Sequence, residues 1–145
     1  MTDLFDQILL LKKSQLFSEV TTEDLRIVAR ELEKESCFKG ERVFDIGDPS
    51  DKMYIIESGR IGISIKVNPR EQEFIAELGA TECFGEMGML DDQPRSATAH
   101  VIEDTTLCVL DKLKLKALLI NYPEVGLGIL RSLSLRLREA NLRSR

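Results

Sequence analysis

Residues 84–98 have the sequence FGEMGMLDDQPRSAT, and they predict a compact cradle for an anion. Gly85 and Gly88 have no Cβ, so the backbone there can turn sharply and approach a ligand closely. Residues 86–90 are predicted to form one helical turn, whose free N–H groups favour negative charge. Because such a helix start suits a phosphate, the stretch predicts a backbone site for a phosphate group.

Two charged side chains make this prediction more specific. Pro94 stiffens the return of the chain, and Arg95 follows it with a planar fork of donors that suits a phosphate. Glu86 lies beside the same site, where its carboxylate can accept hydrogen bonds from hydroxyl groups such as those of a ribose. We therefore expect a ligand that carries both an anionic group and a sugar.

The two ends of this stretch, FGEMGML (84–90) and PRSAT (94–98), resemble the phosphate-binding cassette of the cyclic nucleotide-binding domain family. That family includes the regulatory subunits of protein kinase A, the catabolite activator protein and cyclic nucleotide-gated channels. The resemblance implies that Arg95 pairs with the cyclic phosphate and that Glu86 holds the ribose 2′-hydroxyl. Many members have alanine where this chain has Gly88, a difference that we expect to be tolerated.

The resemblance also implies a set of site residues and a ligand. The residues expected to bind the ligand are Phe84, Gly85, Glu86, Met87, Gly88, Pro94, Arg95, Ser96 and Ala97. The residues expected to act as lid or hinge are Met89, Leu90, Pro123, Leu133 and Leu137. Members with a hydroxyl beside the arginine, as Ser96 provides here, can favour cyclic GMP, but some still prefer cyclic AMP. We expect cyclic AMP, with cyclic GMP as the alternative.

Apolar periodicity predicts helices at the start of the chain and strands in its middle. Apolar residues between Leu4 and Leu11 follow a helical spacing, and a second such stripe, from Leu25 to Leu32, follows a capping signal at Thr21. From Glu35 onwards the period changes to two, and glycine turns separate short segments. Such a pattern is typical of an antiparallel sandwich or barrel.

Individual strands were assigned from alternation and turn residues. We predict strands over 53–57, 60–67, 71–78, 97–102 and 106–110. We also predict turns over 46–49 and at Asn68-Pro69, and a tight turn at Ser58-Gly59. In the strand over 60–67, Ile61, Ile63, Ile65 and Val67 are predicted to share the buried face. His100, the only histidine, is expected to be structural.

The resemblance covers residues 14–142 and implies the overall architecture. It implies an α+β, mainly β fold, in which an antiparallel β-roll (a jelly-roll-like double-stranded β-helix) is flanked by N-terminal and C-terminal helices. We expect N-terminal helices over 1–34, the β-roll over 35–111 with the cassette at 84–98, and hinge and lid helices over 112–145. The three parts are expected to form one cyclic nucleotide-binding domain.

The C-terminal residues predict two helices with a break between them. Pro123 ends the first helix and can open the second, and Gly126 and Gly128 weaken the start of the second. We expect the segment 123–128 to act as a hinge. The last helix is apolar on two sides, so we expect it to have two contact surfaces. The resemblance implies that it folds over the ligand as a lid and that it can also contact an effector domain, a partner protein or a second copy of the chain.

Composition limits the other possible functions. The chain has 145 residues and a net charge of −5, and the five arginines after residue 130 leave an acidic body. That body argues against nucleic-acid binding, which needs a basic footprint. No apolar run is long enough for a membrane span. The three unpaired, widely spaced cysteines predict free thiols in the cytoplasm.

Two other functional classes were weighed against a regulatory binding module. One histidine and no ligand-spaced cluster predict no metal site and no catalytic residues, so we do not expect an enzyme such as a phosphodiesterase. A structural or dimerisation module that keeps the fold but no longer binds nucleotide is the second alternative. The presence of both Glu86 and Arg95 argues against it.

Overall fold

The computed structural model describes residues 4–66 and 73–143. The helices in these ranges are α1 (Leu4–Lys13), α2 (Thr22–Ala29), α3 (Glu86–Asp91), α4 (Lys112–Asn121) and α5 (Pro123–Arg143). The strands are β1 (Glu33–Cys37), β2 (Arg42–Phe44), β3 (Lys52–Ser64), β4 (Ala76–Leu78), β5 (Cys83–Phe84) and β6 (Thr98–Asp111). The chain divides into two compact units, a sheet unit (33–112) and a helical unit (1–32 with 113–145).

The sheet unit is built around two long antiparallel strands. Strands β3 and β6 pair along their whole length, from Lys52 opposite Asp111 to Ser64 opposite Thr98. Strands β1 and β2 pair with β6, whereas β4 and β5 pair with β3, and each of these pairs is antiparallel. The predicted antiparallel β-roll, with helices before and after it in the chain, is confirmed.

The division into short strands was wrong in two places. The predicted tight turn at Ser58-Gly59 lies inside β3, where the register with β6 shifts between Ile56 and Ile61. Gly59 has φ +108°, and a Cβ there would lie 2.2 Å from Oγ1 of Thr105, so only glycine allows the two strands to approach this closely. Likewise, the two strands predicted over 97–102 and 106–110 are one strand, β6.

The predicted alternation in β3 holds only in part. Ile61 is fully buried, but Ile65 is 60% exposed. Ser64 is fully buried on the other parity, where its hydroxyl donates to the Lys66 carbonyl (2.9 Å) and lies 3.0 Å from Nε2 of His100. Since the single Ser64 proton is used, Nε2 of His100 is assigned as the donor in that contact. A buried polar residue satisfied in this way can occupy a position that simple alternation assigns to solvent.

The core of the sheet unit comes from residues that alternate inward along its strands. The buried residues of this core are Cys37, Tyr54, Ile56, Ile61, Phe84, Ala99, Val101, Leu107 and Val109. Val43, Phe44, Ile63 and Leu78 are partly buried against it. Three residues of this closely packed core also line the cleft described below, namely Phe44, Ile63 and Phe84.

The helical unit confirms the two N-terminal helices. Oγ1 of Thr21 accepts from the Asp24 amide at 3.2 Å and caps α2, whose residues Leu25, Val28 and Ala29 are buried. Helix α4 ends before Pro123, which opens α5 as predicted. Tyr122 lies between α4 and α5 and is 44% exposed.

The predicted break over 123–128 is not seen, because α5 is one helix of 21 residues. A Cβ at Gly128 would lie 2.7 Å from Cγ2 and 2.9 Å from Cα of Val20. Gly128 therefore allows α5 to pack closely against Val20. Beside it, the buried Ser132 hydroxyl donates to the Gly128 carbonyl and accepts from the Glu19 amide.

Some predictions fall outside the described residues. These are the turn at Asn68-Pro69, the end of the predicted strand at Val67 and the start of the strand at 71–72. No helix within 4–66 and 73–143 combines the length and the apolar character that crossing a membrane requires.

Candidate functional site

The cassette stretch lines a cleft of about 260 Å³ in the sheet unit. We call it the cassette cleft, and it is lined by Phe44, Ser50, Ile63, Cys83, Phe84, Gly85, Glu86, Met87, Gly88, Arg95, Ser96 and Ala97. Eight of the nine residues that the sequence assigned to the ligand are among them. These eight residues lie together because β5, α3 and the segment before β6 follow one another closely in the sequence.

Gly85 begins the helix that forms one wall of the cleft. It is the N-cap of α3, it has φ +82°, and α3 runs from Glu86 to Asp91 as the sequence predicted. A Cβ at this position would lie 2.8 Å from Nη1 of Arg95. Glycine is therefore needed both for the left-handed backbone and for the close approach of the guanidinium.

Arg95 is held by its backbone and by its side chain. Its amide donates to the Asp48 carbonyl and its carbonyl accepts from the Gly47 amide, both at 2.8 Å, so the predicted turn over 46–49 anchors it. Its Nη1 donates to the Gly85 carbonyl at 2.8 Å, and its Nη2 donates to the Lys52 carbonyl at 2.6 Å. The residue is only 5% exposed, and Nε has no hydrogen-bond partner within the described chain.

Aromatic rings surround the guanidinium. The Cζ atom of Arg95 lies 4.1 Å from the Phe44 ring centroid and 5.9 Å from that of Tyr54. Tyr54 stacks on Phe84 with centroids 5.0 Å apart, and Phe44 lies 6.0 Å from each of these two rings. A cation over aromatic faces is stabilised by the ring quadrupoles, so these rings provide a platform for the positive charge.

Burial determines the electrostatics of this platform. Desolvation lowers the pKa of Arg95 from its usual value, and this effect is opposed by Tyr54 and by the carboxylates of Asp51 and Asp48. Desolvation also raises the pKa of Tyr54 to about 12, although the charge of Arg95 acts in the opposite direction. Tyr54 therefore stays neutral at physiological pH, and the cleft contains a buried guanidinium group.

The other residues assigned to the ligand differ in exposure. Glu86 is 5% exposed and Phe84 is equally buried, whereas Met87 is 66% exposed at the edge of the cleft. Ser96 is exposed and Ala97 is half-buried. The buried carboxylate of Glu86 and the buried guanidinium of Arg95 thus belong to one cleft, with more accessible side chains around them.

Pro94 does not line the cassette cleft in the described part of the chain. It is exposed and contributes to a neighbouring cavity of about 390 Å³, together with Asp92 and Lys112. Of the lid candidates, Met89 is 3% exposed in α3 and Leu90 is 41% exposed. Pro123, Leu133 and Leu137 all lie in α5 of the helical unit, where Leu137 is 65% exposed.

Four residues of the cleft were not among the residues that the sequence assigned to the site. Phe44, Ser50, Ile63 and Cys83 line it as well. Cys83 directly precedes the cassette and Ile63 belongs to the alternating strand, so both carry a weak signal in the sequence. Phe44 and Ser50 lie on either side of the predicted turn over 46–49, and only the fold brings them into the cleft that Arg95 lines.

Comparison with known proteins agrees with the family resemblance seen in the sequence. Residues 34–122 match the family model described as the cyclic nucleotide-binding domain. A CRP-like cAMP-activated global transcriptional regulator from Mycobacterium tuberculosis is 27% identical over 132 residues, which is 91% of this chain and 59% of the relative. The cyclic AMP receptor protein of Thermus thermophilus is 32% identical over 132 residues, covering 91% and 61% respectively. The chain therefore spans less than two thirds of these relatives.

A solved structure with the same fold supports this result. The crystal structure of the N-terminal domain of a transcriptional regulator from Streptomyces coelicolor A3(2) has a TM-score of 0.79 and 28% identity to this chain. The similarity covers 91% of this chain and 94% of that one. The fold is thus shared along almost the whole chain.

Proposed function

The chain belongs to the cyclic nucleotide-binding domain family, and on this premise we propose that it is a regulatory module that binds cyclic AMP. In this proposal Arg95 binds the cyclic phosphate and Glu86 binds the ribose 2′-hydroxyl. The observation that carries it is the burial of these two opposite charges, each 5% exposed, in one cleft. Relatives whose names include cyclic AMP support this choice of ligand.

The buried guanidinium favours an anionic ligand for a specific reason. Its two terminal nitrogens donate to carbonyls, and its Nε has no hydrogen-bond partner within the described residues. A buried charge is costly unless it is paired. An anion in the cleft would supply that pairing, and the Gly85 backbone leaves room for its approach.

The phosphate contact alone cannot provide the whole affinity. A hydrogen bond to a charged group contributes about 1.5–3 kcal/mol, and a micromolar ligand needs about 8 kcal/mol. In this proposal the backbone of α3 and the contacts of the purine and ribose supply the remainder. Truncating Arg95 should still be severe, because the buried phosphate would then lose its partner.

Thermal melting with a ligand panel tests the proposal. The protein is melted alone and with cyclic AMP, cyclic GMP, cyclic dinucleotides and 5′-AMP. At a ligand concentration of 100 times Kd, binding adds about 2.7 kcal/mol. For a domain of this size, that stabilisation raises the melting temperature by roughly 5–10 °C. The largest shift is expected with cyclic AMP, and no shift with any cyclic nucleotide would refute the proposal.

Calorimetry on an arginine variant tests the assigned contact. Arg95→Ala is expected to weaken cyclic AMP binding by about 2–5 kcal/mol. Arg60→Ala is the matched control, because Arg60 is an exposed arginine of the same sheet whose partners are the exposed Glu77 and Glu103. Unchanged affinity in Arg95→Ala would remove Arg95 from the site.

The choice between cyclic AMP and cyclic GMP depends on Ser96 in this proposal. Ser96 is exposed and lines the cassette cleft, so its hydroxyl is available to a guanine amino group. Ser96→Ala should therefore weaken cyclic GMP binding and leave cyclic AMP binding nearly unchanged. A cyclic GMP affinity above that for cyclic AMP in the unmodified protein would make cyclic GMP the ligand.

We further propose that ligand binding changes the conformation of the C-terminal helices, with Met89, Leu90, Pro123, Leu133 and Leu137 as the candidate responders. The exposed leucines of α5, including Leu130 and Leu137, suit an effector, a partner protein or a second copy of the chain. A ligand can shift this equilibrium only by its differential affinity for the two states. Sedimentation with and without cyclic AMP tests the homodimer.

The second candidate function is a nucleotide-silent structural module. One observation favours it, because Nη1 and Nη2 of Arg95 are already bonded to carbonyls of the chain. The ligand panel above decides between the two candidates. We also propose that the chain binds its ligand without catalysis and that it is cytoplasmic. Incubation with cyclic AMP, followed by a test for AMP, checks whether the chain hydrolyses the ligand.

A further inference from the structure

We propose that the hydroxyl group of Ser50 is an additional ligand contact in the cassette cleft, where it donates a hydrogen bond to the anionic group that Arg95 holds. The inference rests on the proposed function, and it extends the binding site beyond the cassette. Ser50 directly follows the turn over 46–49, and β3 begins two residues later at Lys52. Sequence patterns gave no reason to assign it to a ligand.

The first observation is that this hydroxyl is buried and unsatisfied. Ser50 is 9% exposed, and its Oγ has no hydrogen-bond partner in the part of the chain that the structure describes. Buried polar side-chain atoms nearly always have a partner, because the loss of water is otherwise uncompensated. Ser50 also lines the cassette cleft, so a bound molecule is in a position to supply that partner.

The second observation is a matching unsatisfied group on Arg95. Nε of Arg95 is buried and has no hydrogen-bond partner among the described residues, and Arg95 lines the same cleft. A guanidinium nitrogen only donates, so what is missing on that side is an acceptor. A hydroxyl can donate as well. One anionic group in the cleft would therefore satisfy both atoms, whereas a cation would satisfy only Ser50.

The third observation is the space that Gly88 leaves for this hydroxyl. A Cβ at position 88 would lie 2.2 Å from Oγ of Ser50 and 2.9 Å from its Cβ. Glycine at this position in α3 thus allows the serine side chain to lie directly against the helix. The pairing of a small residue at 88 with a hydroxyl at 50 places a donor beside the first turn of α3, in the cleft that Gly85 and Glu86 also line.

Calorimetry with cyclic AMP on Ser50→Ala tests this inference. Loss of a hydrogen bond to a charged group should weaken binding by about 10- to 100-fold. The ligand-free protein should keep or raise its melting temperature, because the removed hydroxyl has no partner there. Ser58→Ala is the matched control, since Ser58 is an exposed serine of β3 in the same unit. That control should change neither quantity.

A double variant shows whether Ser50 and Arg95 bind the same group. If both contact one anion, Ser50→Ala should cost less affinity in the Arg95→Ala background than in the unmodified protein. Fully additive losses would place the hydroxyl on another part of the ligand and overturn the inference. The inference would also be overturned if Ser50→Ala bound cyclic AMP with an affinity within twofold of the unmodified protein. The same holds if Ser50→Ala lost binding and also had a lower melting temperature without ligand.

The same measurements separate this inference from the proposed function. If the unmodified protein binds cyclic AMP and Arg95→Ala does not, the proposed function stands whatever Ser50→Ala does. If the unmodified protein binds no cyclic nucleotide, both the proposed function and the role of Ser50 are wrong.

Discussion

The guanidinium carbon of Arg95 lies 4.1 Å from the centroid of the Phe44 ring, and the two terminal nitrogens of the same group donate to the carbonyls of Gly85 and Lys52. Three separate parts of the chain thus fix the position of one side chain. The ring is the only one of these contacts that a conservative substitution can remove, because the other two are made to the backbone.

We expect Phe44→Leu to weaken cyclic AMP binding by about 1–2 kcal/mol, because the guanidinium loses a cation–π contact. Phe38→Leu is the matched control, since Phe38 is 60% exposed in the same unit. Isothermal titration calorimetry on the two variants provides the measurement. Equal affinities would show that the ring does not position Arg95.

Gly88→Ala is expected to destabilise the ligand-free protein. The added methyl group would lie 2.2 Å from Oγ of Ser50 and 2.8 Å from the Gln93 carbonyl oxygen. Overpacking of this kind costs about 1–3 kcal/mol. Gly79→Ala is the control, because a Cβ there meets nothing within 4 Å. Urea denaturation of both variants measures the difference in stability. Equal stability of Gly88→Ala and the unmodified protein would contradict this prediction.

Two glycines of α5 should respond to alanine in opposite directions. Gly126→Ala gains helix propensity of roughly 1 kcal/mol and meets only the flexible end of Leu119, at 3.3 Å. Gly128→Ala meets Cα of Val20 at 2.9 Å and should lose stability. Chemical denaturation of the two variants provides the test. Equal stabilisation by the two substitutions would contradict this prediction and would support the hinge predicted over 123–128.

His100 should make the folded protein less stable at low pH. Burial lowers its pKa below the unfolded value of about 6.5, with a further lowering by Arg42 and an opposing effect of Asp45. The unfolded chain therefore binds the proton first, and stability falls as the pH drops below about 6.5 and through the folded pKa.

His100→Gln removes this titration and keeps a donor that can reach Ser64. The free energy of unfolding of the two proteins is measured by urea denaturation between pH 5 and pH 8. Above pH 7, it should depend on pH in the same way in both proteins. Below that pH, the unmodified protein should lose stability relative to the variant. Parallel curves over the whole range would remove His100 as the cause.

Thiol labelling reports on the cassette cleft without any substitution. Cys83 is half-buried and lines the cleft, whereas Cys37 and Cys108 are buried. Burial raises the pKa of Cys37 and raises that of Cys108 to about 11. A maleimide at pH 8 should therefore modify Cys83 first, and cyclic AMP should slow that reaction. Peptide mass spectrometry identifies the modified residue, and 5′-AMP is the control ligand.

The cassette was predictable because its parts are local in the chain. Gly85, α3 and Arg95 are separated by a few residues, so their spacing alone describes the arrangement that the structure shows around the cleft. Phe44 and Ser50 were missed because they come from an earlier segment, which reaches the cleft only through the pairing of β2 with β6 and of β5 with β3. That pairing depends on contacts between residues far apart in sequence.

The strands were misdivided for a different physical reason. A glycine with positive φ, such as Gly59, can make either a turn or an irregularity within a strand, and the local sequence does not distinguish the two. Ser64 was assigned to the solvent face because it is polar. One of its partners, the Lys66 carbonyl, is local, but the other, His100, becomes apparent only once β3 and β6 are paired.

Strand β6 has consequences for how the sheet comes apart. It pairs with β1, β2 and β3, and it begins three residues after Arg95. Because β1, β2 and β3 all pair with β6, detachment of any one of them exposes part of that strand, so opening of this sheet should be cooperative rather than a gradual fraying of one edge. An occupant of the cassette cleft would then slow amide exchange even in β1 by mass action alone, with no dedicated route of communication.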